Sequence, residues 1–251
     1  MTSAMGVDVG GSGIKGAVVD LATGELLTDR LKIPTPSPST PRAVAAAVAD
    51  LVTRADWQGP LGCTVPGVVQ AGVVRTAANI APEWVGADGV GLLSQATGRA
   101  VALLNDADAA GIAEMRFGVG RGRGGVVILL TFGTGIGSAV FVDGRLVPNT
   151  ELGHLQMWGG SAERRASAGA KTGRSLSWKK WTRRVDAYLR YVENLLWPDL
   201  LVVGGGVSRD HARWLPLLHT RAPIVPAELR NNAGIVGAAV VAADAAAQPE
   251  G

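Results

Sequence analysis

The sequence predicts an α/β protein built from two similar halves, and three observations carry that expectation. Val7 to Asp20 reads as strand, tight turn, strand, with apolar runs flanking Gly10, Gly11, Ser12 and Gly13. The pattern returns at Leu129 to Gly144, where Thr131, Gly133, Thr134 and Gly135 mark the turn. Along the rest of the chain, strand-like runs alternate with helical ones.

The turns suggest chemistry. Backbone N–H groups in a glycine turn can converge on an anion, and Ser12 and Lys15 add a hydroxyl donor and a positive charge. Asp8 enters the same turn, where a carboxylate can hold a metal ion or a water beside a phosphate. Ile14 to Val19 is β-rich, so no helix follows the glycines. That argues against the nucleotide-binding loops that open a helix. Two such hairpins, half a chain apart, suggest an internal duplication that cradles a phosphate. Phosphoryl transfer needs such positioning and charge stabilisation.

Bulk composition narrows the class. The chain has 251 residues, 47% hydrophobic and 18% charged, enough for one large or two modest domains. The formal net charge is +3 and the pI about 9.3, so the placement of charge matters more than its sum. The single cysteine, Cys63, excludes an intrachain disulfide framework and a cysteine-based metal cluster, and fits a reducing compartment. No apolar run reaches the roughly 18 residues of a membrane span. The first strand starts almost at once, leaving no room for a secretory signal. A cytoplasmic protein is expected, with no membrane partner.

In chain order, strands are expected at 4–10, 14–20 and 25–33. Thr40 caps a helix that Pro41 opens and that runs through Val52. Gly62 to Val69 is a short strand broken at Pro66-Gly67, and Val73 to Asn79 is extended. Residues 94–97 are helical, Val101 to Leu104 form a buried strand, and Ala107 to Phe117 a helix. Gly118 to Gly125 is a crossover. This gives domains at 1–117, with the C-terminal helix 232–251 packed on it, and 118–231. Gln156 to Ser175 shows little periodicity. Ser177 to Leu196 is the clearest helix, with Trp181, Val185, Tyr188, Val192 and Leu195 on one buried face. Leu200 to Val203 is a buried strand ending in Gly204, Gly205 and Gly206. Asn232 to Ala247 is an apolar helix.

Several residues can carry chemistry. Asn105 and Asp106 follow a buried strand at its carboxyl end, where α/β sheets place ligands. Asp106 can take the proton of a hydroxyl attacking phosphorus; alternatively, one of the pair simply caps the next helix. Glu151 and His154 stand three apart and suit the hydroxyls of a polyol, with Asn79, Pro66 and Gly67 as further hydrogen-bonding positions. With no cysteine nearby and only two other histidines, zinc is not expected. The triple glycine at 204–206 can let the backbone approach a nucleotide or phosphate. Between Gly160 and Val185 lie Arg164, Arg165, Lys171, Arg174, Lys179, Lys180, Arg183 and Arg184 against one acid, Glu163, with Trp178 and Trp181 between them. Such a run is a solvated face or a polyanion site. A phosphate chain joins up with the hairpins in a way that nucleic acid does not.

Taken together, Asp8 to Asp20, Pro66-Gly67, Asn105-Asp106, Thr131 to Asp143, Glu151 to His154 and Val203 to Val207 resemble the ROK sugar kinases. Glu163 to Ala168, Leu176 to Trp178 and Pro226 to Asn231 are similar to the branch of that family that phosphorylates glucose, and in some members mannose, from inorganic polyphosphate, often with ATP as second donor. The resemblance implies duplicated ribonuclease-H-like domains of the actin/Hsp70/hexokinase superfamily around a central cleft. It implies Asp106 as the base on the sugar 6-hydroxyl. Asn105, Glu151 and His154 would hold the other hydroxyls, with Asn79 and Gly67 nearby. Asp8, Gly10, Gly11, Ser12, Lys15, Thr134 and Gly135 would line the phosphate path. It also implies Mg²⁺ and a homodimer. Gly204 to Gly206 match the family's adenosine turn. Many ROK proteins bind zinc through a cysteine cluster after the His154 position; Gln156 to Gly173 contains no cysteine.

Overall fold

The structure is a computed structural model and describes residues 2–247. The chain divides into two units. One holds the chain up to Ala113 and the segment from Asn232 onward; the other is Glu114–Asn231.

In the first unit β1 (Ser3–Val9), β2 (Ile14–Asp20) and β3 (Leu31–Ile33) form an antiparallel meander. Helix α1 (Pro41–Arg54) follows, then β4 (Leu61–Val65), α2 (Gly89–Thr97) and β5 (Val101–Asn105). The strand order is β3-β2-β1-β4-β5, with β4 and β5 parallel to β1. Helix α3 (Asp106–Phe117) leaves the end of β5. Thr40 accepts the Ala43 N–H at 3.4 Å to cap α1, and Val44, Val48, Leu51 and Val52 form its buried stripe.

The second unit repeats the plan. Its strands β6 (Val126–Phe132), β7 (Ile136–Val142) and β8 (Arg145–Val147) form an antiparallel meander. After two short helices, α4 (Glu163–Ala166) and α5 (Ala168–Gly173), come α6 (Trp178–Leu196) and the parallel strands β9 (Leu200–Gly204) and β10 (Ile224–Pro226). The strand order β8-β7-β6-β9-β10 matches that of the first sheet position by position. An aromatic cluster fills the core: Phe132 meets Trp181, Tyr188 and Trp214 edge-on, at centroid distances of 6.0, 6.5 and 5.8 Å. The buried Glu114 carboxylate accepts from the Leu229 N–H at 2.7 Å and the Val119 N–H at 3.2 Å.

Helix α7 (Ala233–Ala247) is apolar nearly all round and packs on the first sheet. It comes so close because β1 and β4 place glycines beneath it. A Cβ on Gly6 would lie 1.8 Å from the Ile235 carbonyl oxygen, and one on Gly62 would lie 1.9 Å from that of Ala238. Residues 248–251 of the expected last helix lie outside the described residues.

Three local expectations change. The third strand of 25–33 is interrupted: Leu26 bridges Val19, then the Thr28 hydroxyl takes the Val18 N–H at 3.1 Å and the ladder resumes only at Leu31. Helix α2 starts at Gly89 rather than 94, since Asp88 caps it by accepting the Gly91 N–H at 2.8 Å. Leu195 is 53% exposed, and Leu189 takes its place on the buried face of α6.

Replacing Gly6 with Ala drives a methyl into helix backbone, which cannot rotate away. We expect a loss of about 3 kcal/mol or more, read as a lower denaturant midpoint. A midpoint equal to wild type would show that α7 can lift off β1 freely.

Candidate functional site

In the first unit the β1–β2 turn closes on itself, with the Gly10 N–H donating to the Gly13 carbonyl at 3.1 Å. The Thr35 hydroxyl donates to the Gly10 carbonyl at 2.5 Å. Gly11 and Ser12 are exposed. Asn79, in the left-handed region at φ 60°, lays its carbonyl against Gly11, where a Cβ would be 2.7 Å away. Asp8 accepts the Thr64 hydroxyl at 3.0 Å and stands 3.5 Å from the Lys15 ammonium. Gly234, at the start of α7, packs against the Asp8 carboxylate.

On the same sheet Asn105 ends β5 and is buried. Its Oδ1 accepts the Ala107 N–H at 2.8 Å and the Asp108 N–H at 3.0 Å, and its Nδ2 donates to the Gly67 carbonyl at 3.1 Å. Asn105 is therefore the cap of α3 and ties that helix to the Pro66-Gly67 turn. Gly67 in turn lies against Thr76, with room for no side chain. Asp106 becomes the first residue of α3, half-buried, at the carboxyl end of a parallel strand.

In the second unit the β6–β7 turn closes by the Gly133 N–H donating to the Gly135 carbonyl at 3.0 Å. The Gly169 N–H donates to the Gly133 carbonyl at 2.9 Å, which seats α5 on the turn. Register pairs Gly204 with Thr131, so the triple glycine stands beside the same turn. Gly205 has φ 81°, and a Cβ there would sit 2.4 Å from the Phe132 carbonyl, so only glycine fits. Gly206 faces open space.

The Glu151–His154 turn is stapled to β7. Ser138, buried, accepts the Leu152 N–H at 2.9 Å and donates to the Thr150 carbonyl. Gly153 lies flat on Ile136. The His154 imidazole then stands between two carboxylates, with Nδ1 3.7 Å from Glu151 and Nε2 3.6 Å from Glu163. Glu163 also accepts the Ile136 N–H at 3.1 Å, reaching over Gly135. Burial pushes the Glu151 carboxyl above its ordinary value; His154 pulls it back and Glu163 pushes it further up.

Sequence reasoning missed Glu163 as a site residue. Its signal was present: it is the one acid within a basic run. Ser138 carried no such signal, being one serine in an apolar strand.

The basic residues separate into groups. Arg164 and Arg174 line a cavity of about 350 Å³ with Thr134, Glu163 and Ser167. With Arg165 they also line a neighbouring cavity of about 150 Å³ beside Trp158. The Lys171 ammonium lies 4.2 Å from the Trp178 ring, against which Arg213 also packs at 5.0 Å. Lys179, Lys180 and Arg183 are exposed on α6, while Arg184 is half-buried and reaches the Arg165 carbonyl. Among the described residues no group of three or more His, Cys, Asp or Glu is placed to hold a metal ion, and no helix is long and apolar enough to cross a membrane.

Two matched sheets of order 3-2-1-4-5, each with a glycine turn after its first strand, define a duplicated ribonuclease-H-like sugar-kinase fold, and the chain belongs to the ROK family, whose sequence profile matches residues 4–173. A polyphosphate glucokinase of Mycobacterium tuberculosis is 54% identical over 238 residues, covering 94% of this chain and 89% of the relative. Among solved structures, an inorganic polyphosphate/ATP-glucomannokinase from Arthrobacter is 47% identical, with a TM-score of 0.93 over 99% of this chain and 100% of the other. A ROK family glucokinase from Streptomyces griseus, solved with glucose and AMPPNP, is 26% identical, with a TM-score of 0.81 over 96% and 99%.

Because burial raises the Glu151 carboxyl, the folded state holds that proton more tightly than the unfolded chain does. Stability from this group is therefore lost as pH rises from the ordinary carboxylate value through the raised one. Glu151→Gln should flatten that fall in the urea midpoint just above the ordinary carboxylate range. An unchanged slope would show that Glu151 does not titrate differently on folding.

Proposed function

We propose that this chain transfers a phosphoryl group from inorganic polyphosphate to the 6-hydroxyl of glucose, with ATP as a second donor. The observation that carries this reading is the cavity between the Thr134 turn and Arg164 and Arg174. It gives a phosphate chain a cationic wall beside a phosphate-cradling turn. High identity to polyphosphate glucokinases over nearly the whole chain supports the same donor and acceptor.

Asp106 takes the proton of the attacking hydroxyl. It is held in place because Asn105 caps the helix that Asp106 starts. Glu151, His154 and Glu163 accept and donate to the remaining sugar hydroxyls; they form one cluster, with the imidazole 3.7 Å from one carboxylate and 3.6 Å from the other. Asn79 and the Pro66-Gly67 turn offer hydrogen bonds to sugar hydroxyls. Gly10, Gly11, Ser12, Gly13 and Lys15, with Thr131, Gly133, Thr134 and Gly135, receive phosphate oxygens, and Gly204 to Gly206 admit the nucleotide of ATP. Arg164, Arg165, Lys171 and Arg174 hold the polyphosphate, with Lys179, Lys180, Arg183 and Arg184 further along.

Magnesium fits the first turn through Asp8. Mg²⁺ sites commonly use one or two carboxylates plus substrate phosphates, and Asp8 is such a single carboxylate beside a phosphate-binding turn. Bound there, the ion would offset phosphate charge. The reading extends to mannose as a second acceptor, to a homodimeric enzyme, and to the cytoplasm, where the buried Cys63 thiol would stay reduced.

The test is glucose 6-phosphate formation with Mg²⁺, comparing nucleotide-free polyphosphate with ATP at equal ionic strength. Turnover on polyphosphate alone is expected. Asp106→Asn should lower kcat by about 10²–10⁴-fold while glucose still binds by calorimetry. Turnover on ATP only would sink the polyphosphate reading, and undiminished turnover in the variant would end the assignment of the base.

A further inference from the structure

The register of the first sheet places four polar residues in one row. Lys32 on β3 pairs with Lys15 on β2, Lys15 with Asp8 on β1, and Asp8 with Thr64 on β4. Directly opposed residues project from the same face, so the four side chains are neighbours in sequence across the sheet. The contacts agree: Thr64 donates to one Asp8 oxygen at 3.0 Å, and Lys15 lies 3.5 Å from the other. Asp8 thus answers Lys15, and Lys32 has no carboxylate partner among the described residues.

Lys32 does not extend away from the sheet. Its side chain crosses Gly13: a Cβ on that glycine would lie 3.1 Å from Lys32 Cε and 3.9 Å from its Cγ. The missing side chain of Gly13 is what lets the lysine lie over the turn. The strand that carries it is tied there too, since Thr35, three residues on, donates to the Gly10 carbonyl.

Two lysines directly opposite each other on adjacent strands repel, and a sheet loses stability by it. An edge lysine that only discourages sheet-to-sheet pairing gains nothing from facing another lysine or from folding over a glycine turn. An anion joining the two ammonium groups removes the penalty. We infer that Lys32 is a donor-binding residue, which with Lys15 holds the phosphate chain of inorganic polyphosphate as it passes the Gly10–Gly13 turn. This rests on the polyphosphate-kinase reading of the chain. A lysine suits the task, because its ammonium is a compact point charge with rotatable donors that can follow a chain sliding from one phosphate to the next.

The experiment is steady-state kinetics with polyphosphate varied, at saturating glucose and constant ionic strength, on the wild-type chain, Lys32→Ala and Lys32→Arg. Lys32→Ala should raise the polyphosphate KM about fivefold, with kcat and the glucose KM within about twofold of wild type. Lys32→Arg should restore most of the loss, and the difference between wild type and Lys32→Ala should shrink as salt rises. A merely structural role would instead lower the thermal midpoint and raise the glucose KM, which overturns the assignment. So does an unmoved polyphosphate KM in Lys32→Ala when the wild type turns over. A wild type with no polyphosphate turnover would bring down the kinase reading itself, and this assignment with it.

Discussion

The first unit depends on a contact between backbones. Helix α7 comes from the far end of the chain and lies on β1 and β4 at positions where Gly6 and Gly62 present no side chain. At that range the helix carbonyls almost touch the sheet, and the apolar helix surface is buried nearly all round. Without it, β1 would lose the cover on one face, and β1 carries Asp8 and leads into the Gly10–Gly13 turn. The N-terminal end of the same helix packs Gly234 against Asp8. One close approach thus makes a unit from two distant chain segments and positions a charged residue at its working end.

Each unit carries a glycine turn after its first strand, yet the charge around the two turns differs. The first turn is bordered by Lys15 and Lys32 with Asp8 as the answering acid. The second carries a carboxylate on its own backbone: Glu163 accepts the Ile136 N–H across Gly135, and Arg164 follows it in the chain. Glu163 points its other oxygen toward His154, and with Arg164 and Arg174 it lines the cavity beside Thr134.

The repeat, the two glycine turns and the long helices were legible because each is local. A glycine turn between β-rich runs, a Thr-Pro helix start and a spacing of three and four residues declare themselves within a dozen positions. Strand register is not local, and it hid the most. Nothing near Lys32 in sequence tells that it faces Lys15; only the pairing of β3 with β2 does so. The third strand breaks after Leu27, where the Thr28 hydroxyl takes the ladder N–H of Val18, although Leu26 still bridges Val19. Asn105 was legible as either a cap or a ligand, and the structure shows the cap, because both hydrogen bonds to the α3 N-terminus are made. Glu163 was legible by its charge but not by its place, since the Gln156–Ser175 stretch has no periodicity from which to set it beside Gly135.

A polyphosphate chain differs from a nucleotide in having no base to anchor one end. Its binding must come from repeated charge contacts, each weak in water, so many cations spaced along a path serve better than one strong site. The arrangement around the second turn has that character. Arg164 and Arg174 border two adjoining cavities, Arg165 joins the outer one, and Lys171 is held near by the Trp178 ring. The indole also carries Arg213, so two cations that would repel in water share one electron-rich face system. Holding them on a rigid ring lowers the side-chain entropy that a phosphate contact would otherwise have to overcome. Such a path keeps its cations whether or not a base is present, and Gly206, close to the same turn, faces open space.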